Sequence, residues 1–164
     1  MRYNTAEYLV ERFLDDIIRL SLVYVKNIDD AQDIAQQVFI TYLQKKPEFE
    51  NEDHAKNWLF KVTVNLSKNH LRTLRPMVEY ETLENVLSTG DDIENIEKSE
   101  NDQKVFDAVM SLKPRYREII HLYYYMGYDT KGISELLGIP EEHVRVRLSR
   151  ARISLEKKLK GGKK

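Results

Sequence analysis

The sequence contains no cysteine, and this absence excludes disulfides, thiolate metal ligands and cysteine nucleophiles together. It has only 6 glycines and 4 histidines, which form neither a glycine-rich phosphate loop nor a metal-ligand spacing. No apolar run approaches the length of a membrane span, and no signal-peptide pattern follows Met1. These absences predict a cytoplasmic protein without membrane insertion, metal or cofactor. Because no nucleophile has a suitable base nearby in the sequence, we do not expect an enzyme.

Charge is distributed unevenly along the chain, although the net charge is only −1. Residues 1–75 carry 11 basic and 11 acidic side chains, whereas residues 76–101 carry one lysine against eight carboxylates. Residues 102–164 carry 14 basic and 8 acidic side chains, which gives this part a charge of +6. A basic C-terminal part favours a nucleic-acid partner, which the net charge of the whole chain conceals.

Helical patterns run through the chain, and strand signals are nearly absent. Capping patterns at Asn4 and Asp29 open the first two predicted helices, and Pro76 ends the third. We predict helices at about residues 4–25, 29–44, 53–74, 102–112 and 114–126, followed by a helical pair within 130–159. The acidic stretch lacks an apolar period and is predicted to be a linker. The expected fold is all-α, with two small helical domains (1–75 and 102–164) joined by a flexible acidic linker (76–101).

The C-terminal quarter has the pattern of a helix-turn-helix. Asp129 is a candidate cap of a short helix, Gly138 ends it, and Pro140 pre-sets the next helix. In that second helix an apolar stripe (Val144, Leu148, Ala151 and Leu155) leaves Arg145, Arg150 and Arg152 pointing away from the core, with Arg147 at the flank. A charged helix face is usually only a solvated face. Four arginines in eight residues favour DNA instead, because the guanidinium fork fits phosphates and guanine edges.

The second and third helices each have a distinctive polar face. On the second, Asp30, Asp33 and Gln37 lie opposite the apolar stripe with Gln36 beside them, and this face has no basic residue. It is either a solvated surface or a docking site for a basic partner. The third helix has no acidic residue from Lys56 to Arg75. Its polar side chains (Asn57, Lys61, Asn65, Lys68, Asn69 and Arg72) suit a single nucleic-acid strand, and Trp58 at the border is either core or a stacking partner.

Three segments, in order, resemble bacterial sigma factors of the extracytoplasmic-function (ECF) group. Asp30–Phe39 (DAQDIAQQVF) is similar to their core-polymerase-binding helix, and Asn57–Asn65 (NWLFKVTVN) resembles their promoter-melting helix. The segments LKPRYREII (from Leu112) and VRVRLSRAR (from Val144) resemble their minus-35-reading domain. Together they span nearly the whole chain.

The resemblance implies a transcription-initiation subunit that binds promoter DNA and binds RNA polymerase core enzyme through the clamp coiled coil and the flap. It also implies an anti-sigma factor as a partner. The residues implied at the clamp are Asp30, Asp33, Gln36, Gln37 and Phe39. Those implied at the minus-10 element are the loop from Phe49 to His54, which would hold a flipped base, and Asn57, Trp58, Lys61, Asn65, Lys68, Asn69 and Arg72. At the minus-35 element, Arg145, Val146, Ser149 and Arg150 would face bases, with Arg147 and Arg152 nearer phosphate.

Three local features depart from the family pattern or lack a functional reading. Glu50, Glu52 and Asp53 make the base-reading loop unusually acidic, and Gly132 lies inside a helix, where glycine is unfavourable. Val146 is apolar at a position that is often polar, which favours contact with a thymine methyl. Three consecutive tyrosines (residues 123–125) are expected to lie in the core and at its rim.

The predicted function is promoter recognition and melting as part of the polymerase holoenzyme. A stand-alone helix-turn-helix regulator is the main alternative, and an adaptor that binds polymerase without DNA is a third. The third helix distinguishes a sigma factor from a stand-alone regulator. In such a regulator the first domain would be a sensor, which has no need of a basic face without acidic residues beside Trp58.

Overall fold

The computed structural model describes residues 4–78 and 100–161, and within these ranges the chain is helical without any strand. The predicted all-α class is therefore confirmed. The chain divides into two compact units, Met1–Pro76 and Met77–Lys164. Residues 79–99, which make up most of the predicted acidic linker, lie outside the described residues, as do residues 162–164. Each helix in the described ranges is too short or too polar to cross a membrane.

The first unit consists of α1 (Ala6–Val25), α2 (Ile28–Lys45) and α3 (Glu52–Val78). Its core is built from apolar side chains at helical spacing, and the Phe13 ring meets the Phe60 ring edge-on at 6.0 Å. The hydroxyls of Ser21 and Ser67 hydrogen-bond at 3.0 Å in the same interior, so α1 and α3 approach closely where both side chains are small. Each fully buried Phe or Leu contributes about 1.5–3 kcal/mol through loss of apolar surface to water.

The caps of the first two helices differ from the predicted ones. The Thr5 hydroxyl, not the Asn4 side chain, accepts from the backbone N–H of Tyr8 and caps α1. The Asn27 side chain caps α2 by accepting from the N–H of Asp30. Both caps have extended backbone, as an N-cap requires. The Asn4 side chain instead bonds to the main chain of Phe49. The sequence pattern therefore located the start of each helix to within one or two residues but identified neither capping residue.

The third helix continues past the predicted stop at Leu74 and ends at Val78, with Pro76 inside its last turn. Proline already has a helical φ, but it removes one hydrogen bond to the preceding turn and its ring crowds the carbonyl four residues earlier. Only two residues follow Pro76 in the helix, so little helical structure depends on that bond.

The second unit consists of α4 (Glu100–Met110), α5 (Pro114–Ile120), α6 (Thr130–Leu137) and α7 (Glu141–Gly161). The predicted helix 114–126 is present but changes character, because α5 continues into a π turn at His121–Tyr125. The N–H of Met126 closes this wider turn on the carbonyl of His121 at 3.0 Å.

Helices α6 and α7 form the predicted helix-turn-helix. Asp129 caps α6 by accepting from the N–H of Gly132 at 2.7 Å, and Gly138 ends the helix with a φ of 72°. Pro140 stands just before α7, where its carbonyl accepts from the N–H groups of His143 and Val144. The structure also accounts for Gly132. A Cβ there would lie 2.9 Å from the Tyr128 ring and 3.2 Å from the Asp129 carboxylate, so only glycine fits beneath the cap without displacing it.

Candidate functional site

The outward side of α2 carries the acidic and amide face expected from the sequence. Asp33, Gln36 and Gln37 are exposed, whereas Phe39 is half-buried. Asp30 is also half-buried, and its Oδ2 lies 3.2 Å from Nε2 of His70 on α3. Asp30 therefore ties α2 to α3, and the other three polar side chains are the more accessible members of this face.

Two apolar side chains on the same side of α2 were not singled out from the sequence. Ile40 is 43% exposed and Leu43 is 55% exposed. They follow Gln36 by four and seven residues, a spacing that places them along the same side of a helix. This spacing was the sequence signal that could have identified Ile40 and Leu43 as exposed. The buried side of α2 is formed by other apolar residues, which are Ala31, Ile34, Ala35, Val38 and Tyr42. The polar face thus continues into an exposed apolar patch.

The loop between α2 and α3 is fixed by the N-terminal end of α1. The Asn4 side chain accepts from the N–H of Phe49 at 2.9 Å and donates to its carbonyl at 3.4 Å. The Tyr42 hydroxyl donates to the Asn4 carbonyl at 2.6 Å, and burial raises the pKa of this hydroxyl. Phe49 itself is buried. The main chain of the predicted base-reading loop is therefore held at its first residue, Phe49.

The acidic residues of this loop are not all available to a ligand. The Glu52 carboxylate receives hydrogen bonds from the Tyr8 hydroxyl and from Nε of Arg12, the latter at 3.0 Å. Asn51 caps α3 by accepting from the N–H of His54. Because Arg12 neutralises Glu52, the loop presents less negative charge than its sequence suggests.

Trp58 lies at the border of the core, as predicted, but it is packed among aromatic rings. Its ring centroid is 5.8 Å from that of Phe49 and 6.3 Å from that of Tyr42. Trp58 is half-buried, so part of its ring remains accessible beside the loop. Trp58 therefore packs against the core and also borders the surface.

The polar stripe of α3 has the predicted exposure. Asn57, Lys61, Asn65, Asn69 and Arg72 are exposed, and Lys68 is half-buried. The opposite side is closed by fully buried residues such as Ala55, Leu59 and Thr63. The described part of the stripe thus offers cations and amides on one side of a rigid helix.

The outward face of α7 contains the predicted base-facing residues. Arg145, Val146, Ser149 and Arg150 are all exposed, and Val146 is flanked along the helix by Ile153, which is 53% exposed. Ile153 was missed, although its spacing of seven residues from Val146 places it on the same face. The centre of this face is therefore apolar, with polar and basic side chains around it.

Two of the predicted phosphate-contacting arginines have partners within the protein. Nη1 of Arg147 lies 3.6 Å from Oε2 of Glu118, a carboxylate that is only 2% exposed. Nε of Arg152 donates to the Tyr124 hydroxyl at 2.6 Å, and its guanidinium lies 5.6 Å from the rings of Tyr123 and Tyr124. Arg147 is thus partly structural, and Arg152 is stacked against the π turn.

The tyrosines of the π turn are more exposed than predicted. Tyr124 and Tyr125 are 52% and 54% exposed, and Tyr123 is only half-buried. The expectation of core and rim positions assumed regular α-helical spacing. In the π turn, Tyr123 and Tyr124 instead lie beside Arg152, and Tyr125 stacks on His121.

Arg150 lies beside a second tyrosine. A hydrogen bond with Arg115 lowers the pKa of the Tyr116 hydroxyl, although burial acts in the opposite direction. The charge of Arg150 and a hydrogen bond with it also lower this pKa. The Arg115 guanidinium also lies 4.9 Å from the Tyr116 ring. Both arginines thus lie beside the Tyr116 hydroxyl.

Among the described residues no group of histidine, aspartate and glutamate side chains is placed to hold a metal ion.

Comparison with known proteins identifies the family of the chain. A family model described as Sigma-70 region 2 matches residues 9–76, and one described as Sigma-70, region 4 matches residues 102–155. The RNA polymerase sigma factor SigV of Bacillus subtilis is 32% identical over 138 residues, which cover 83% of this chain and 80% of SigV. The ECF RNA polymerase sigma factor SigW of the same organism is 26% identical over 167 residues, covering 93% and 87% of the two chains.

A solved structure shares the fold. The sigma factor RpoE of Bartonella quintana, in complex with the anti-sigma factor NepR, superimposes with a TM-score of 0.72 at 20% identity, covering 94% of this chain and 96% of that one. Both domains of a sigma factor are matched, so a stand-alone regulator is not favoured. The chain therefore belongs to the sigma-70 family of RNA polymerase sigma factors, in its extracytoplasmic-function group.

Proposed function

We propose that this sigma factor divides initiation among its three surfaces: α2 binds core polymerase, α3 and its preceding loop take the melted minus-10 strand, and α7 reads the minus-35 duplex. The observation that carries the proposal is the division of charge between α2 and α3. The exposed face of α2 has carboxylates and amides, whereas the stripe of α3 has cations and amides. A surface without cations suits a basic protein partner, and a surface without acids suits a nucleic-acid backbone.

The contact with polymerase extends along α2 in this proposal. Asp33, Gln36 and Gln37 bind polar groups of the clamp coiled coil, and Phe39, Ile40 and Leu43 bury apolar surface beside them. Asp30, paired with His70, contributes mainly by holding α2 against α3. A polar face joined to an apolar patch is the composition of a protein–protein interface and not of a DNA contact.

The minus-10 contact combines a fixed loop with a basic stripe. Lys61, Lys68 and Arg72 follow the strand backbone, and Asn57, Asn65 and Asn69 offer amides to base edges. Trp58 supports the flipped base from its position against Phe49 and Tyr42. Extracting a base costs a few kcal/mol, and a pre-formed site offsets this cost because no loop has to be ordered on binding.

The minus-35 contact uses the outward face of α7 in the major groove. Arg145 and Arg150 face base edges, while Val146 and Ser149 lie between them. Arg147 and Arg152 lie nearer phosphate, and each also has a protein partner that orients it.

We further propose that the protein acts in the cytoplasm without enzymatic activity and binds the polymerase flap. An anti-sigma partner inhibits it in this proposal, by analogy with RpoE of Bartonella quintana, whose structure was solved in complex with NepR.

Run-off transcription on a promoter library tests the whole proposal. Core polymerase with this protein should yield transcripts from a subset of templates that share one minus-10 and one minus-35 sequence, whereas core enzyme alone should yield none of these. Transcription that is independent of added protein, or that shows no common elements, would refute the proposed function.

Arg150 and Arg147 should respond differently to removal. Arg150→Ala should reduce base preference at one or two minus-35 positions, because a bidentate arginine–guanine pair is worth about 1–3 kcal/mol of discrimination. Arg147→Ala should weaken all promoters about equally and lower the salt dependence by roughly one counterion if it contacts phosphate. It should also lower the stability of the second unit by about 1–3 kcal/mol, because it removes a cation from the buried Glu118 carboxylate. Library transcription at two salt concentrations and thermal denaturation measure these effects separately.

An unchanged base profile for Arg150→Ala would contradict its assignment to base reading. For Arg147, a loss of stability without any change in salt dependence would show that its ion pair with Glu118 is its whole role.

A further inference from the structure

One carboxylate joins the two helices of the helix-turn-helix on the proposed DNA side. Glu141 is the first residue of α7, and its Oε2 accepts from the hydroxyl of Thr130, the first residue of α6, at 2.6 Å. The same oxygen lies 3.2 Å from Nη1 of Arg145, one turn further along α7. Thr130, Glu141 and Arg145 therefore form a continuous chain, which we call the turn relay, and it ends on an arginine assigned to a base.

The turn relay has little value for stability. Arg145 is 57% exposed and Glu141 is 40% exposed, and solvent-exposed pairs one turn apart in a helix stabilise it only weakly. Its geometry is nevertheless restrictive. Thr130 holds the carboxylate from one side, which restrains it from following the arginine. The hydrogen bond to a charged acceptor is stronger than one between neutral groups, and it reaches across the turn to another helix.

A fixed carboxylate changes what Arg145 can do on DNA. A free arginine at this place would adopt many rotamers and would bind any nearby phosphate. Arginine reads guanine only when its planar fork meets the base edge in one orientation. A neighbouring carboxylate restricts the rotamers and partly neutralises the charge, and this lowers non-specific attraction to the backbone relative to the specific contact.

We propose that Glu141 and Thr130 are positioning residues for Arg145, and that the turn relay sets the strength of base discrimination at the minus-35 position that Arg145 faces. This inference rests on the proposed function, because it assumes that α7 reads the minus-35 element. It assigns a role to two residues outside the sigma-factor motifs of the recognition helix. It also gives α6 a direct influence on base choice.

The test uses holoenzyme assembled from core polymerase and the full chain, with a library randomised across the minus-35 element. Arg145→Ala identifies the position that this arginine reads. Glu141→Gln should lower the preference at that same position by about three- to ten-fold, part of the discrimination that a full arginine–guanine contact provides. Thr130→Val should lower it by a smaller factor, about two- to five-fold, because the carboxylate stays but is no longer fixed. Thr130→Ser keeps the hydroxyl and should retain the base preference of the wild-type holoenzyme.

Glu142→Gln is the matched control, because Glu142 is exposed, adjacent in sequence and equally charged. It should strengthen binding to all sequences alike, as any removal of a carboxylate near DNA does, without changing the profile. Glu141→Gln in the Arg145→Ala background should cause no further loss at the read position. Thermal denaturation of each variant separates loss of positioning from loss of folding.

The outcomes distinguish failure of the positioning role from failure of the proposed function. If Arg145→Ala relaxes one position but Glu141→Gln behaves like Glu142→Gln, the turn relay has no positioning role and the inference is wrong. If the wild-type holoenzyme is selective but Arg145→Ala leaves the profile unchanged, the inference is wrong and so is the assignment of Arg145 to a base, while the proposed minus-35 recognition by other residues of α7 stands. A wild-type holoenzyme without any minus-35 preference would refute the proposed function itself.

Discussion

Asp33→Lys combined with Gln37→Lys should abolish co-purification with core polymerase while leaving the melting temperature of the chain nearly unchanged. Both side chains are exposed on α2, and neither has a role in the described packing. The double substitution places two cations on a face proposed to meet a basic surface, where like charges cost several kcal/mol. A loss of at least about 100-fold in affinity is therefore expected, because each 1.4 kcal/mol is a factor of ten. Affinity capture on tagged core enzyme and thermal denaturation measure the two quantities.

Glu7→Lys combined with Glu11→Lys is the control for added charge. These residues are exposed on α1 with the same spacing of four, and their substitution changes the net charge by even more. This variant should keep core binding. Ile40→Ser should weaken binding by a smaller factor, which would locate the apolar edge of the interface. Normal capture of the α2 double variant would contradict the assignment of this face to polymerase.

Trp58→Ala should reduce promoter opening by about ten-fold or more while affecting closed-complex binding much less, because stacking of a base on an aromatic ring is worth about 1–3 kcal/mol. The ring is half-buried against Phe49 and Tyr42, so its removal also loosens the support of the loop. Permanganate reactivity of thymines near the start site reports opening, and a gel-shift measurement with holoenzyme reports closed-complex binding.

Trp58→Phe separates support of the base from support of the fold. It keeps an aromatic ring in the cluster, so it should retain most opening and nearly all stability. Calorimetry on the Trp58→Ala variant measures the packing contribution directly. Equal losses of opening and closed-complex binding, in a variant that remains folded, would rule out a specific role for Trp58 in melting.

The helices and the helix-turn-helix were predictable from sequence because their signals are local. Apolar residues recur at helical spacing, and Asp129 and Gly138 act on neighbouring backbone groups, so a short window contains the whole pattern. The exposed faces of α2, α3 and α7 follow from the same periodicity. Pro76 was misjudged as the end of the third helix, which instead includes this proline and ends two residues after it.

The partners of individual side chains were not predictable, because they depend on tertiary packing. Arg152 meets Tyr124 across 28 residues of sequence, and Arg147 meets Glu118 only when α5 packs on α7. The sequence separated the arginines of α7 only by helix face, whereas the structure gives Arg147 and Arg152 different partners, Glu118 and Tyr124. The π turn at His121–Tyr125 had no recognisable signal, since its residues fit an ordinary helix equally well.

The fastening of the base-reading loop to Asn4 has a consequence for the order of folding. The contacts that hold this loop join residues 38 to 45 positions apart, whereas each helix closes over only four. Contacts across long stretches of chain form slowly, because the chain entropy lost in closing them must be offset first. The loop is therefore held in place only once the N-terminal end of α1 has docked beside it, and not by the local formation of α2 and α3 alone. Its order depends on the first residues of the chain, far in sequence from every motif that identifies the family.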